Sequence, residues 1–178
     1  MALSANGVTI ECIQGDITRQ DDVDAVVNAA NAELMSGGGV AGAIHRAAGS
    51  ALAEECKPLA PIKPGEAVIT GAHNMPNQYV IHVLGPVYGV DEPAATLLAS
   101  CYREALDLAE SKGLRSIAFP AISTGAFGYP MDHAADVASR TVLAKSAELE
   151  SVELIRWVLF SEEDREVHQR IFDLMFNA

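Results

Sequence analysis

The chain has 178 residues, 49% of them apolar, and a formal net charge of −12. That length suits one domain with a sizeable buried core, and the charge argues against a partner read through many phosphates, since nonspecific nucleic-acid affinity depends on a basic surface. Cys12, Cys56 and Cys101 are widely spaced, odd in number and in no C-x-x-C pair, so disulfide and zinc frameworks are disfavoured and each is expected to be a small buried hydrophobe.

The start, Met1-Ala2-Leu3-Ser4, lacks the basic region and apolar stretch of a secretory signal, and no run approaches the roughly 20 apolar residues that span a bilayer. A cytoplasmic protein with no membrane partner is expected. Short Val- and Ile-rich runs alternate with longer segments of helical period, the pattern of a layered α/β domain. In chain order this predicts strands over Val8 to Gln14 and Ala25 to Asn28, a helix over Val40 to Ala48, and strands over Ala67 to Thr70 and Tyr79 to Leu84. The last two are joined through His73 to Asn77, close enough for an antiparallel pair, so a mixed sheet is expected. The Pro-rich stretch from Lys57 to Pro64 reads as a connection between elements.

A helix over Ala94 to Lys112 follows, with Leu97, Leu98, Cys101, Ala105, Leu108 and Ala109 on one face and Gly113 as its stop. Next come a strand over Ser116 to Pro120, a helix over Met131 to Ser146 opened by Pro130, and a strand over Leu154 to Phe160. A final helix is predicted over Glu162 to Phe176, with Ser161 as N-cap and an acidic first turn. Most of the strands are apolar on both faces and should lie between helices.

Two glycine loops sit where a strand gives way to a helix. The first runs from Asn28 through Gly37-Gly38-Gly39 into Val40, and the second is Ser123-Thr124-Gly125-Ala126-Phe127-Gly128-Tyr129. Glycine lets main-chain N–H groups approach a ligand, and the following helix N-terminus presents further unpaired donors to an anion. A small phosphate-bearing ligand held by backbone is therefore expected. There is no G-x-x-x-x-G-K-[ST], and no G-x-G-x-x-G that follows a strand with a distal acidic residue for a dinucleotide ribose, which disfavours a triphosphate-hydrolysing machine and a dinucleotide fold. Ser123 lacks the first glycine of a nucleophile elbow.

Taken together, Gly15-Asp16-Ile17-Thr18, Val26-Val27-Asn28-Ala29-Ala30-Asn31, Gly37-Gly38-Gly39-Val40, Gly42 to Gly49, Ile81-His82-Val83-Leu84-Gly85-Pro86 and Ile122 to Pro130 make the whole chain resemble a macrodomain of the MacroD type. The resemblance implies a three-layer α/β/α sandwich with a mixed central sheet, a single macrodomain over residues 1–178, and an ADP-ribose pocket. It implies binding of ADP-ribose and hydrolysis of ADP-ribosyl esters, either on mono-ADP-ribosylated acidic side chains or on O-acetyl-ADP-ribose. The alternative is a non-catalytic ADP-ribose-recognition module. The implied partner is ADP-ribose or an ADP-ribosylated protein, with no nucleic acid, cofactor or metal, and the chain is expected to be a monomer.

Residue by residue, the resemblance places Asp16 and Ile17 at the adenine, where a carboxylate accepts from the exocyclic amine. Asp16 also suits an N-cap for the turn through Thr18. The diphosphate lies between Gly38, Gly39 and Val40 on one side and Ser123, Thr124, Gly125, Ala126 and Phe127 on the other. Phe160 is either the aromatic edge of the adenine site or a core aromatic. Asn31 is assigned to the distal ribose, Phe127 beside it, and His45 to the border of the active site, making these three the candidate catalytic residues. Asn28 is expected to tie down its own loop, and His82, inside an apolar strand, to be a hydrogen-bonded core histidine. One departure stands out: hydrolases of this type carry an aspartate after the glycine run, and this chain has Ala41. Without that general base, turnover is expected to be slow.

Overall fold

The computed structural model describes residues 2–177. Asn6 and Gly7 both have positive φ, 50° and 83°, the conformation of an Asn-Gly hairpin turn. It folds Leu3–Ala5 (β1) antiparallel onto Val8–Gln14 (β2), with Leu3 opposite Ile10. The strand β1 is absent from the elements predicted above because three residues are too few to show a period, although Asn-Gly ahead of Val8 is itself a hairpin signal.

The remaining strands are β3 (Ala25–Ala29), β4 (Ala67–Gly71), β5 (Tyr79–Val83), β6 (Ser116–Phe119) and β7 (Leu154–Leu159), and the helices are α1 (Gly39–Ala48), α2 (Ser50–Cys56), α3 (Ala94–Ser111), α4 (Met131–Ser146) and α5 (Glu162–Met175). The short α2 is the one helix not predicted; Gly49, at φ 88°, separates it from α1. Caps behave as their chemistry dictates. Ser161 Oγ accepts from Asp164 N at 3.1 Å, Gly113 takes φ 66° beyond α3, and Pro130 precedes the first residue of α4.

The seven strands form one mixed sheet in the order β1-β2-β7-β6-β3-β5-β4. Its interior pairs are parallel and both edges, β1 on β2 and β4 on β5, are antiparallel. One face is covered by α3, α4 and α5 around Trp157, Phe119, Tyr102 and Phe172, with Phe119 and Trp157 stacked at 5.4 Å. Buried Leu98, Cys101, Tyr102, Ala105, Leu106 and Ala109 carry the packing of α3, while Leu97 and Leu108 lie at the margin. The other face is covered by α1 and α2 through Ile44, Ala48, Leu52 and Cys56. All three cysteines are free and buried. No helix among the described residues is long and apolar enough to cross a membrane.

His82 on β5 is fully buried and wired into this second face. Asn28 Nδ2 on β3 donates to His82 Nδ1 at 3.0 Å, so the neutral ring carries its proton on Nε2 and donates to Thr70 Oγ1 at 2.9 Å; that hydroxyl in turn donates to the Gly71 carbonyl at 3.0 Å. Asn28 thus braces the sheet, not its own loop as the sequence suggested. Burial pushes the His82 pKa down to about 3, and the neighbouring His45 pushes in the same direction. Burial also lowers His45 and His168.

A histidine held neutral in the fold binds its proton only after unfolding, so stability falls as pH drops below the unfolded value near 6.5 and keeps falling toward the folded value. Each such proton steepens the loss by about 1.4 kcal/mol per pH unit. Urea denaturation at pH 7, 6 and 5 is expected to show this decline; a flat profile between pH 6.5 and 5 would contradict the buried neutral ring.

Candidate functional site

The strands β3 and β6 are neighbours with Ala25 opposite Ile117, yet their chains leave the sheet in opposite directions. From β3 the chain passes through the first glycine loop to α1 on one face, and from β6 through the second glycine loop to α4 on the other. Divergence of this kind at adjacent parallel strands opens a crevice at their carboxyl ends. Both glycine loops line it.

The first loop ends in a helix N-terminus without a side-chain cap. Gly38 is the N-cap residue, no side chain bonds the first turn, and Gly39 adopts φ 56°. The amides of Gly39, Val40 and Ala41 therefore face outward from the start of α1 with no intrahelical partner. Gly37 to Gly39 are exposed. In the second loop, Gly128 N donates to Gly125 O at 3.0 Å and Tyr129 N to Ser123 O at 2.9 Å, which curls the segment into a tight nest. Ser123 is held at φ 68°, a left-handed conformation that costs a non-glycine residue about 1–2 kcal/mol. Among the described residues the amides of Gly125, Ala126 and Phe127 have no hydrogen-bond partner, whereas that of Thr124 is spent on Ala121 O. Two opposed sets of unpaired donors suit a diphosphate.

At the other end of the cleft, β2 and β7 finish side by side: Gln14 pairs with Leu159, and Gly15 N donates to Leu159 O at 3.0 Å. This brings Asp16 next to Phe160. Asp16 Oδ1 accepts from Thr18 N at 2.9 Å and Thr18 Oγ1 at 2.7 Å, the cap geometry, and those two bonds hold its carboxyl below the usual carboxylate range. Its Oδ2 lies 3.8 Å from the exposed Arg19 guanidinium and remains an open acceptor. The Ile17 amide, the first of the short turn Ile17–Arg19, is an unpaired donor beside it. Phe160 is 93% exposed, so it is not a core aromatic; an exposed ring at a strand end is free to meet a planar ligand.

The candidate distal residues are placed less simply. Asn31 stands at the start of the first loop, but its side chain is engaged: Nδ2 donates to Met35 O at 2.8 Å, and Oδ1 accepts from Met35 N at 2.9 Å. Phe127 is half-buried and packs against the cluster that holds Ile44 and Leu52, so part of its ring has a structural use. His45 is buried, and its Nε2 has neither exposure nor a hydrogen-bond partner. That nitrogen cannot reach a water in the cleft. Ala41 is buried at the third position of α1 and brings no acid or base. Among the described residues no three His, Cys, Asp or Glu side chains converge as a metal site would require.

Residues 27–138 match the Macro domain family. The chain is 48% identical over 166 residues to an O-acetyl-ADP-ribose deacetylase of Klebsiella pneumoniae, covering 90% of this chain and 94% of that protein. It is also 48% identical over 166 residues to a Macro domain-containing protein of Chlorobaculum tepidum, covering 93% and 96%. Among solved structures, the Oceanobacillus iheyensis macrodomain with ADP superposes with a TM-score of 0.93 at 39% identity, covering 98% of this chain and 95% of that one. The Trypanosoma brucei macrodomain in complex with ADP-ribose gives 0.84 at 36% identity, covering 90% and 68%. With its mixed seven-stranded sheet, its two glycine loops at the β3/β6 crevice and these relatives, the chain belongs to the macrodomain family.

Proposed function

We propose that this chain binds ADP-ribose along the cleft and slowly hydrolyses ADP-ribosyl esters, carried by modified acidic side chains or by O-acetyl-ADP-ribose. The carrying observation is the pair of glycine loops facing each other from adjacent β3 and β6, whose unpaired main-chain donors let a protein of net charge −12 hold an anion. The remaining geometry supports the same ligand. Asp16 Oδ2 and the Ile17 N–H form an acceptor and a donor side by side, which match the exocyclic amine and ring nitrogen of adenine, with Phe160 against the base. The distal ribose then lies toward Asn31 and Phe127. The Klebsiella deacetylase and the Trypanosoma complex support this reading by their kinship.

For a glycosyl ester, a water pinned against the ligand's phosphate attacks the anomeric carbon as the bond from that carbon to the carboxylate oxygen breaks. The carboxylate leaves with the electron pair, and the water's proton passes through the phosphate oxygen to solvent. Positioning and the amide cradle supply the barrier reduction. Ala41 and the Met35-bound Asn31 favour a second reading, a recognition module without turnover. Release of label from an auto-modified ADP-ribosyl transferase separates the two, because a pure binder leaves the label in place.

Calorimetric titration with ADP-ribose tests the recognition step; neither heat nor thermal protection would remove it. In the same assay Phe160→Ala is expected to leave the melting temperature nearly unchanged, since the ring is exposed, while weakening ADP-ribose by about 1 kcal/mol of lost stacking. Unaltered affinity would take Phe160 out of the site.

A further inference from the structure

Arg156 sits in the middle of β7 and is only 9% exposed. Its Nε donates to Glu11 Oε1 on β2 at 2.7 Å, and its Nη1 and Nη2 form a fork on Asp22 at 2.7 and 2.8 Å. Three carboxylate contacts already satisfy a buried guanidinium's need for charge. Yet Nη1 makes a further bond, to Gln20 Oε1 at 3.0 Å, and the other end of that side chain, Nε2, donates to the Asp16 carbonyl at 2.9 Å. The same carbonyl accepts from Arg19 N at 3.0 Å. Gln20 is buried, and Asn77 Nδ2 fixes its own carbonyl at 2.7 Å.

The Asp16 C=O and the Ile17 N–H are opposite ends of one planar trans peptide group. With the carbonyl drawn inward by two donors, the N–H is turned outward toward the cleft. We infer that Gln20, oriented by Arg156, is a specificity-determining positioning residue: it locks the peptide plane whose outer end offers the Ile17 N–H to the base. A guanidinium held on both sides by carboxylates cannot swing, so the amide it orients cannot flip and the donor stays aimed. The inference rests on the adenine contacts proposed for Asp16 and Ile17, and it goes beyond them by placing the origin of base selectivity two hydrogen bonds behind the ligand.

The test compares ADP-ribose with inosine diphosphate ribose by calorimetry. Hypoxanthine carries a ring N–H where adenine has an acceptor, and a carbonyl in place of the amine, so it presents the opposite pattern to Asp16 and Ile17. The wild-type chain is expected to prefer ADP-ribose. Gln20→Glu keeps the side-chain size and the acceptor for Arg156 but sets a carboxylate oxygen against the Asp16 carbonyl. The peptide plane then rotates. Affinity for ADP-ribose is expected to fall about tenfold and that for the inosine analogue by less than about twofold, so that selectivity collapses. A merely structural clamp would weaken both ligands alike.

Equal losses, or none, overturn the inference. Gln20→Met, which keeps the volume and leaves Arg156 its bonds to Glu11 and Asp22, is the companion variant read by the same ratio. Failure of the wild-type chain to bind ADP-ribose would overturn the adenine reading and the relay together. Selectivity that persists unchanged in both variants would overturn the relay alone.

Discussion

Gly42→Ala and Gly85→Ala are each expected to weaken ADP-ribose about a hundredfold while the protein stays folded. A Cβ on Gly42 would lie 2.1 Å from the Gly37 carbonyl oxygen and 3.2 Å from its carbon. That neighbour is main chain, and it cannot rotate out of the way. The first loop must lift off α1, carrying the Gly39 and Val40 amides with it. A Cβ on Gly85 would lie 2.1 Å from Ser123 Oγ and 2.7 Å from Ile122 Cγ2, which pushes the second loop from beneath. Displacing either set of donors by about 1 Å destroys convergence on a diphosphate.

The two variants differ in stability for a physical reason. Alanine gains roughly 1 kcal/mol of helix propensity over glycine at position 42, and the exposed loop yields cheaply, so Gly42→Ala should melt near the wild-type temperature. Gly85 is buried two residues beyond the end of β5, and overpacking there should cost about 1–3 kcal/mol. Calorimetric affinity together with thermal denaturation checks both. Wild-type affinity in both variants would mean that the loops do not hold the phosphates.

Ala41→Asp is expected to raise release of label from an ADP-ribosylated protein by about 10²-fold to 10⁴-fold. Ala41 is the third residue of α1, beside the Gly38–Gly39 turn. A carboxylate there stands by the first-turn N–H groups, where the helix dipole favours its ionised form, and it supplies the general base that the buried methyl lacks. The gain should be in rate and not in binding, because a second negative charge next to a diphosphate does not help hold it. An unchanged rate of release would show that the attacking water does not lie next to this position, and would strengthen the recognition-only reading.

Much of the fold was legible because its elements carry strong local signals. The strand β2 reads as an alternating run and β7 as an apolar one, α4 as a periodic segment behind a proline, and α5 as a helix opened by Ser161 and three acidic residues. The elements that were not legible are short. Neither Leu3–Ala5 nor Ser50–Cys56 is long enough to display a period; the first is held by the hairpin onto β2 and a bridge to Asn177, the second by the adjoining helix. His82 was expected to be a bonded core residue and is one, but the role of Asn28 depended on which strand lay beside β3. Sequence spacing is silent about that.

The site divides in the same way. Two glycine loops ahead of helices announced an anion-binding function, and the acidic balance limited it to a small ligand. Phe160 has two readings in the sequence, and its exposure removes the core one. Arg156 is a lone charge inside an apolar strand: such a group must find partners, and the partners it finds run to Asp16.

Local chemistry along the chain thus determined where backbone donors would stand unpaired, since turn residues and helix starts act within a few positions. Only the tertiary structure decided that β6 pairs beside β3 and β7 beside β2, because non-local pairing is set by burial of both faces of the sheet. That pairing brings the two loops together and sets Asp16 next to Phe160. A cleft is made by neighbours far apart in the sequence, and no local pattern encodes their meeting.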